Sequence, residues 1–168
     1  MRPIASQFLI AIPLPEPYAT QVKEFRGAND RWDKPGMEPH ITVVRPQSFH
    51  WLPDEIHEVQ KLRLPETEVN FEGVSTFKNP HANVVYVPCE SRGLAHAQQQ
   101  VVSIFPKLAS LVGEKPIHHI TLASKVPDVS VFDVEEAAEA ANIRGTFVFE
   151  ALNVYVRYNS GPWQLLTA

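Results

Sequence analysis

Apolar and polar positions along this chain fall into short runs that come in the same order twice. Residues 8–14 (FLIAIPL) form an apolar, strand-like run, and residues 18–25 are polar and helix-compatible. The segment PHITVV, from Pro39, is β-branched and predicts a second strand. Pro53-Asp54-Glu55 opens a helix to about residue 62, with Asp54 as cap or first-turn acid. Residues 71–77 (FEGVSTF) close the half as a strand. The second half repeats this with a strand at 84–87 (VVYV) and a longer helix over 94–108. Leu94, Ala97, Val101, Val102 and Phe105 give that helix one apolar stripe. A strand in IHHITLAS, a helix over 133–141 and a closing strand at 149–155 (FEALNVY) follow. The two closing segments align without a gap, sharing Phe-Glu at the start and an aromatic at the end.

The pattern predicts two pseudo-repeat halves, about 1–78 and 79–168, each reading strand, helix, strand, helix, strand. Two copies are a duplication and not a solenoid array. With 168 residues, 44% of them hydrophobic, the chain can bury one core or two lobes sharing a sheet interface. The join at residues 78–81 (KNPH) reads as a turn, and no Gly/Ser linker separates the halves, so one bilobal domain is expected. Most of the fifteen prolines sit at element edges and argue against long helices. The first apolar run is short and carries Pro13 and Pro15, so it reads as a strand and not a signal peptide. No stretch approaches transmembrane length.

Charge narrows the partners. The net charge is −4 and no basic stripe is evident, which argues against a grip on long duplex nucleic acid. A small nucleotide, or one phosphate at an RNA end, is the expected partner, and nothing demands more than a monomer. The lone Cys89 cannot form an internal disulfide, which fits a cytoplasmic protein with an idle thiol.

The chemistry lies in a word written twice, His40-Ile41-Thr42 and His119-Ile120-Thr121, about eighty residues apart. On a strand, residues i and i+2 share a face, so each copy presents an imidazole beside a hydroxyl. Two imidazoles can serve as base and acid near neutral pH, and two hydroxyls can donate to the non-bridging oxygens of a phosphodiester. The halves are nearly symmetric, so the base and acid roles belong to the pair and not to one residue. The scheme needs no metal or cofactor. Alternation sends His118 to the opposite face, while His50, His57 and His96 read as solvated and His81 as a turn residue. Lys125 shares strand parity with His119 and Thr121 and is a candidate phosphate contact. Arg45 has the wrong parity relative to His40 unless the strand bulges. Tyr86, Tyr155 and Trp163 are candidates for stacking on a base, and Arg157 for a cleft charge. The alternatives are a nucleotide- or RNA-binding module without turnover, and a zinc hydrolase using His40, His119 and a third ligand.

The paired motifs, His40-Ile41-Thr42-Val43 and His119-Ile120-Thr121-Leu122, resemble the 2H phosphoesterase superfamily, which includes the bacterial 2′-5′ RNA ligase (LigT-like) proteins and the cyclic phosphodiesterases. The stretch FEGVSTFKNPHANVVYV is similar to that family's link between halves. The resemblance implies an α+β fold of duplicated βα units, with two antiparallel sheets around a central cleft. It implies opening of 2′,3′-cyclic phosphates or cleavage and joining of 2′-5′ linkages, with His40, Thr42, His119 and Thr121 as catalytic residues. Where family members often carry an arginine after the second motif, this chain has Ser124 and Lys125.

Overall fold

In a computed structural model the described residues are 5–32, 37–48, 53–79, 82–112, 117–159 and 161–166. Their elements run β1 (Ala5–Pro13), α1 (Tyr18–Ala28), β2 (His40–Gln47), α2 (Pro53–Lys61), β3 (Arg63–Phe71), β4 (Ser75–Phe77) and β5 (Asn83–Glu90). Next come α3 (Arg92–Ile104), a 3-10 turn (Pro106–Leu111), β6 (His119–Val126), α4 (Asp128–Ala141), β7 (Gly145–Ala151), β8 (Asn153–Tyr158) and β9 (Trp163–Leu165). This is the expected α+β arrangement with two antiparallel sheets. One sheet has the order β2-β1-β8-β9. In the other, β5 pairs with β6, with β4 and, at its end, with β3, which pairs in turn with β7.

Helix faces follow the apolar stripes. α3 buries Leu94, Ala97, Gln98 and Val101, and α1 buries Ala19, Val22, Phe25 and Arg26. In α3 these are the i, i+3, i+4, i+7 positions that lie on one side of a helix, and α1 keeps the same spacing of three or four residues around Val22. Ser91 accepts a hydrogen bond from the Gly93 amide and caps α3. The left-handed Asn142 (φ +49) ends α4. One cluster of buried side chains runs through both sheets, from Ile10, Ile12 and Ile41 to Val85, Val87 and Ile120. No helix among the described residues is long and apolar enough to cross a membrane.

Several expected elements are redrawn. The closing strand at 71–77 is two strands, because Gly73 takes φ +83 and turns the chain between β3 and β4. The segment 149–155 is likewise split, between β7 and β8. The helix expected over 94–108 stops at Ile104, where Pro106 lacks the amide a further turn would need. α4 begins five residues earlier than expected, at Asp128. His50, His81 and part of the 78–81 join lie outside the described residues.

The sheets do not coincide with the halves. β3 and β7 pair with each other, Thr67 opposite Phe149 and Phe71 opposite Gly145. Beyond that pair, β4 crosses to β5 of the second half and β8 crosses to β1 of the first. Each half hands its closing strand to the other.

Candidate active site

The two motif strands are built alike to the residue. On β1 and β2, Pro13 lies opposite His40, Ile12 opposite Ile41 and Ala11 opposite Thr42. On β5 and β6, Pro88 lies opposite His119, Val87 opposite Ile120 and Tyr86 opposite Thr121. His40, Thr42, His119 and Thr121 are half-buried, whereas Ile41 and Ile120 are fully buried on the opposite face. β2 and β6 belong to different sheets, yet they come together, so the duplicated motifs meet.

Each imidazole is held the same way. His40 Nδ1 lies 2.8 Å from the Glu38 carbonyl oxygen, and His119 Nδ1 lies 3.0 Å from that of Ile117. A carbonyl oxygen only accepts, so the proton of each neutral ring sits on Nδ1 and Nε2 carries the lone pair. Burial lowers the pKa of both rings, and the two carbonyls oppose it. His40 is lowered further by the nearby positive charges of Arg26 and protonated His119.

Both strands then bulge at equivalent places. Thr42 pairs with Ala11, but Val44 pairs with Ile10, so β2 has one residue more than β1 over that step. Thr121 pairs with Tyr86 and Ala123 with Val85, giving β6 the same extra residue. The bulge reverses the parity argument, since a one-residue slip moves every later side chain to the other face. Val43 and Val44 are consecutively buried, and Arg45 returns to the face of His40 and Thr42, exposed. Leu122 and Ala123 repeat this, and Ser124 returns to the face of Thr121. Lys125 follows with φ +51 at a second irregularity, so alternation from His119 does not place it.

The aromatic candidates divide between the sides. Tyr86 is buried, stacks on Phe77 at 4.1 Å between centroids and lies 5.1 Å from the His119 ring. Phe77 meets His119 edge-on at 5.0 Å. On the other sheet, Tyr155 packs with Leu9, Ala11, Met37 and Trp163, and the Arg157 guanidinium lies 5.6 Å from the Trp163 ring centroid. His118 is buried just before β6, while His57 and His96 are exposed. Burial pushes the Cys89 thiol up to about 12, which leaves it unsuited to nucleophilic attack. Among the described residues no three His, Cys, Asp or Glu side chains gather as a metal site.

Two residues beside the motifs were not singled out from the sequence. Arg26, 7% exposed, donates from Nη2 to the Thr121 carbonyl at 2.7 Å and from Nη1 to the Met37 carbonyl at 3.4 Å. Gln98, 6% exposed, donates from Nε2 to the Val43 carbonyl at 2.8 Å. Each thus reaches from the helix of one half to the motif strand of the other. The available signal was position: both polar residues fall on the apolar stripe of their helices.

The 2′-5′ RNA ligase superfamily pattern matches residues 14–161, which takes in both motifs and nearly the whole chain. The chain belongs to this superfamily. Membership puts it among the 2H phosphoesterases, as the paired His-x-Thr words implied. Solved structures agree on the fold. LigT of E. coli complexed with 3′-AMP superposes with a TM-score of 0.65 at 13% identity, over 97% of this chain and 95% of that one. LigT complexed with NADP+ gives 0.61 at 15% identity, over 96% and 94%. A protein of Thermus thermophilus, TT0787, gives 0.59 at 17% identity, over 96% and 95%. No curated protein matches the sequence.

Proposed function

We infer that this family member is a metal-independent phosphoesterase acting on 2′,3′-cyclic phosphates of nucleotides or RNA ends, or on 2′-5′ linkages. One observation carries the reading: two imidazoles, each anchored through Nδ1 to a carbonyl two residues back, stand on strands that meet, each with a threonine two residues on. In ring opening, one neutral Nε2 takes a proton from water as the water oxygen bonds to phosphorus. The other, protonated, gives its proton to the departing ribose oxygen as its bond to phosphorus breaks. Thr42 and Thr121 hydroxyls donate to the non-bridging oxygens, where charge builds up. Arg45 and Lys125 supply cations at the cleft, Tyr86 lies beside the reacting phosphate, and Arg157 lies on the opposite sheet. LigT, which shares the fold, has been solved with 3′-AMP and with NADP+, and this supports a small nucleotide or RNA-end substrate.

The test is incubation with 2′,3′-cyclic nucleotides and a short RNA bearing a cyclic end, in EDTA, read by phosphorus NMR. Ring opening that vanishes in His40→Ala is expected. Loss of turnover in EDTA that zinc restores would favour a metal hydrolase instead. Binding without any turnover of these substrates or of a 2′-5′ linkage would favour a binding module.

A further inference from the structure

A β-bulge interrupts the ladder between two strands, and inside a core the backbone groups it releases need other partners. Both motif strands bulge directly after their threonine, between Thr42 and Val44 on β2 and between Thr121 and Ala123 on β6. A side chain reaches a carbonyl within each of these steps. Arg26 Nη2 donates to the Thr121 carbonyl at 2.7 Å, and Gln98 Nε2 donates to the Val43 carbonyl at 2.8 Å. Both donors are buried, where a polar side chain is costly unless it is hydrogen-bonded.

The donors are exchanged between the halves. α1, from the first half, lies against β6 of the second, and α3, from the second, lies against β2 of the first. The side chain that reaches each bulge therefore belongs to the opposite half. Arg26 makes one further and longer bond, from Nη1 to the Met37 carbonyl at 3.4 Å. That segment has fastenings of its own. The Leu14 amide donates to the Pro39 carbonyl at 2.9 Å, and the Lys23 ammonium is 2.6 Å from the Glu38 carboxylate. Loss of Arg26 would thus be felt chiefly at Thr121.

We propose that Arg26 and Gln98 are positioning residues, a reciprocal pair of ties that hold the two bulges and thereby aim the Thr121 and Thr42 hydroxyls from opposite sides at one phosphate. A slip of one residue turns each later side chain of a strand to the other face. A bulge that relaxed would therefore re-aim the threonine beside it and carry Arg45 or Ser124 out of place. Misplacing a group that serves the transition state by about 1 Å costs on the order of 100-fold in rate. Because each half holds the other's strand, neither threonine is set independently of the opposite half. The effect on turnover rests on the function proposed above, whereas the placement of the hydroxyls does not.

Two double-mutant cycles on the full chain decide the matter, with 2′,3′-cyclic AMP as substrate. Arg26→Met, which fills the space without a donor, should lower kcat on the order of 10- to 100-fold with KM nearly unchanged. In Thr121→Ala the same change should cost about twofold or less, because the hydroxyl it aims is gone. In Thr42→Ala its loss should persist in full. Gln98→Met should give the mirror result, its loss vanishing in Thr42→Ala and persisting in Thr121→Ala. Arg26→Lys, which keeps a donor, should recover much of the lost kcat. Losses that are equal in both threonine backgrounds, or that fall on KM or Tm alone, would overturn the proposal. Threonine-methyl NMR gives a readout that needs no turnover. Thr121 should move and Thr42 hold in Arg26→Met, with the reverse in Gln98→Met, and equal movement of both signals in either variant would also overturn it. In the wild type, Arg26 guanidinium protons should be resolved and slow to exchange. A freely rotating guanidinium would sink the tie even if no variant folds. Protein whose threonine signals respond as stated but which opens no cyclic phosphate counts against the proposed substrate and upholds the ties.

Discussion

The His40 side and the His119 side of the candidate site share a strand pairing, a bulge and a carbonyl anchor, and they differ in most of the side chains that surround the two histidines. Where the His119 side has Tyr86 opposite its threonine, the His40 side has Ala11. Phe77 on one side corresponds to Tyr155 on the other, each paired two residues further along. Arg45 follows the bulge on β2, and Ser124 follows it on β6. The difference teaches that the two motif strands share what aligns their histidines and threonines, while their surroundings are unlike and give the candidate site two distinguishable ends. A substrate whose two phosphate esters are unlike needs such ends.

The comparison can be broken most severely at the histidines. His40→Ala and His119→Ala should each lose on the order of 100- to 10,000-fold in turnover, with circular dichroism unchanged. Near-wild-type turnover in both would remove the site. Thr42→Ala and Thr121→Ala should cost less, on the order of 10- to 1000-fold each, mostly in kcat. Unequal losses would show which side holds the oxygen that gains more charge.

Cation placement gives a smaller effect. Arg45→Ala should raise KM a few-fold and weaken its salt dependence, whereas Ser124→Ala, its counterpart, should change KM little. Equal effects would mean that the two ends bind phosphate alike.

Stability supplies the smallest and most general test. His40, His118 and His119 are all lowered from 6.5 by burial, so the unfolded chain takes up protons first as pH falls. Their contribution is therefore complete above 6.5 and is lost progressively as pH drops toward the folded values. Tm should fall on acidification through that range. His118→Leu, buried and outside the His-x-Thr motif, should shallow the fall by a few degrees while leaving kcat near wild type. An unchanged slope would show that His118 titrates as it would in water.

How much of this the sequence disclosed depended on whether a feature was local. The motif strands were legible because alternation over His40–Thr42 and His119–Thr121 reports one solvated and one buried face directly. Alternation alone does not place Lys125 or Arg45, because a bulge adds a residue without leaving a mark in composition. Most of β3 escaped notice because Pro65, Glu66 and Glu68 interrupt its apolar positions, and its pairing with β7 supplies what its own pattern lacks. α4 starts ahead of the run of alanines and glutamates by which the sequence marks it, and its first turns carry Val129 and Phe132 exposed on the helix, 90% and 73%. Arg26 and Gln98 were passed over because a polar residue on an apolar stripe looks like noise until its partner, on the other half's strand, is known.

The exchanged closing strands have a consequence for ancestry. In a chain made of the first half alone, the edge of β1 that β8 fills here would stand open, and β3 and β4 would lack the strands they pair with. A second copy would supply both, since β3 meets its counterpart antiparallel, as two identical strands do about a two-fold axis. The interlock seen within this one polypeptide is therefore the contact that a homodimer of half-length chains would make, and joining the genes end to end would have released each copy to specialise.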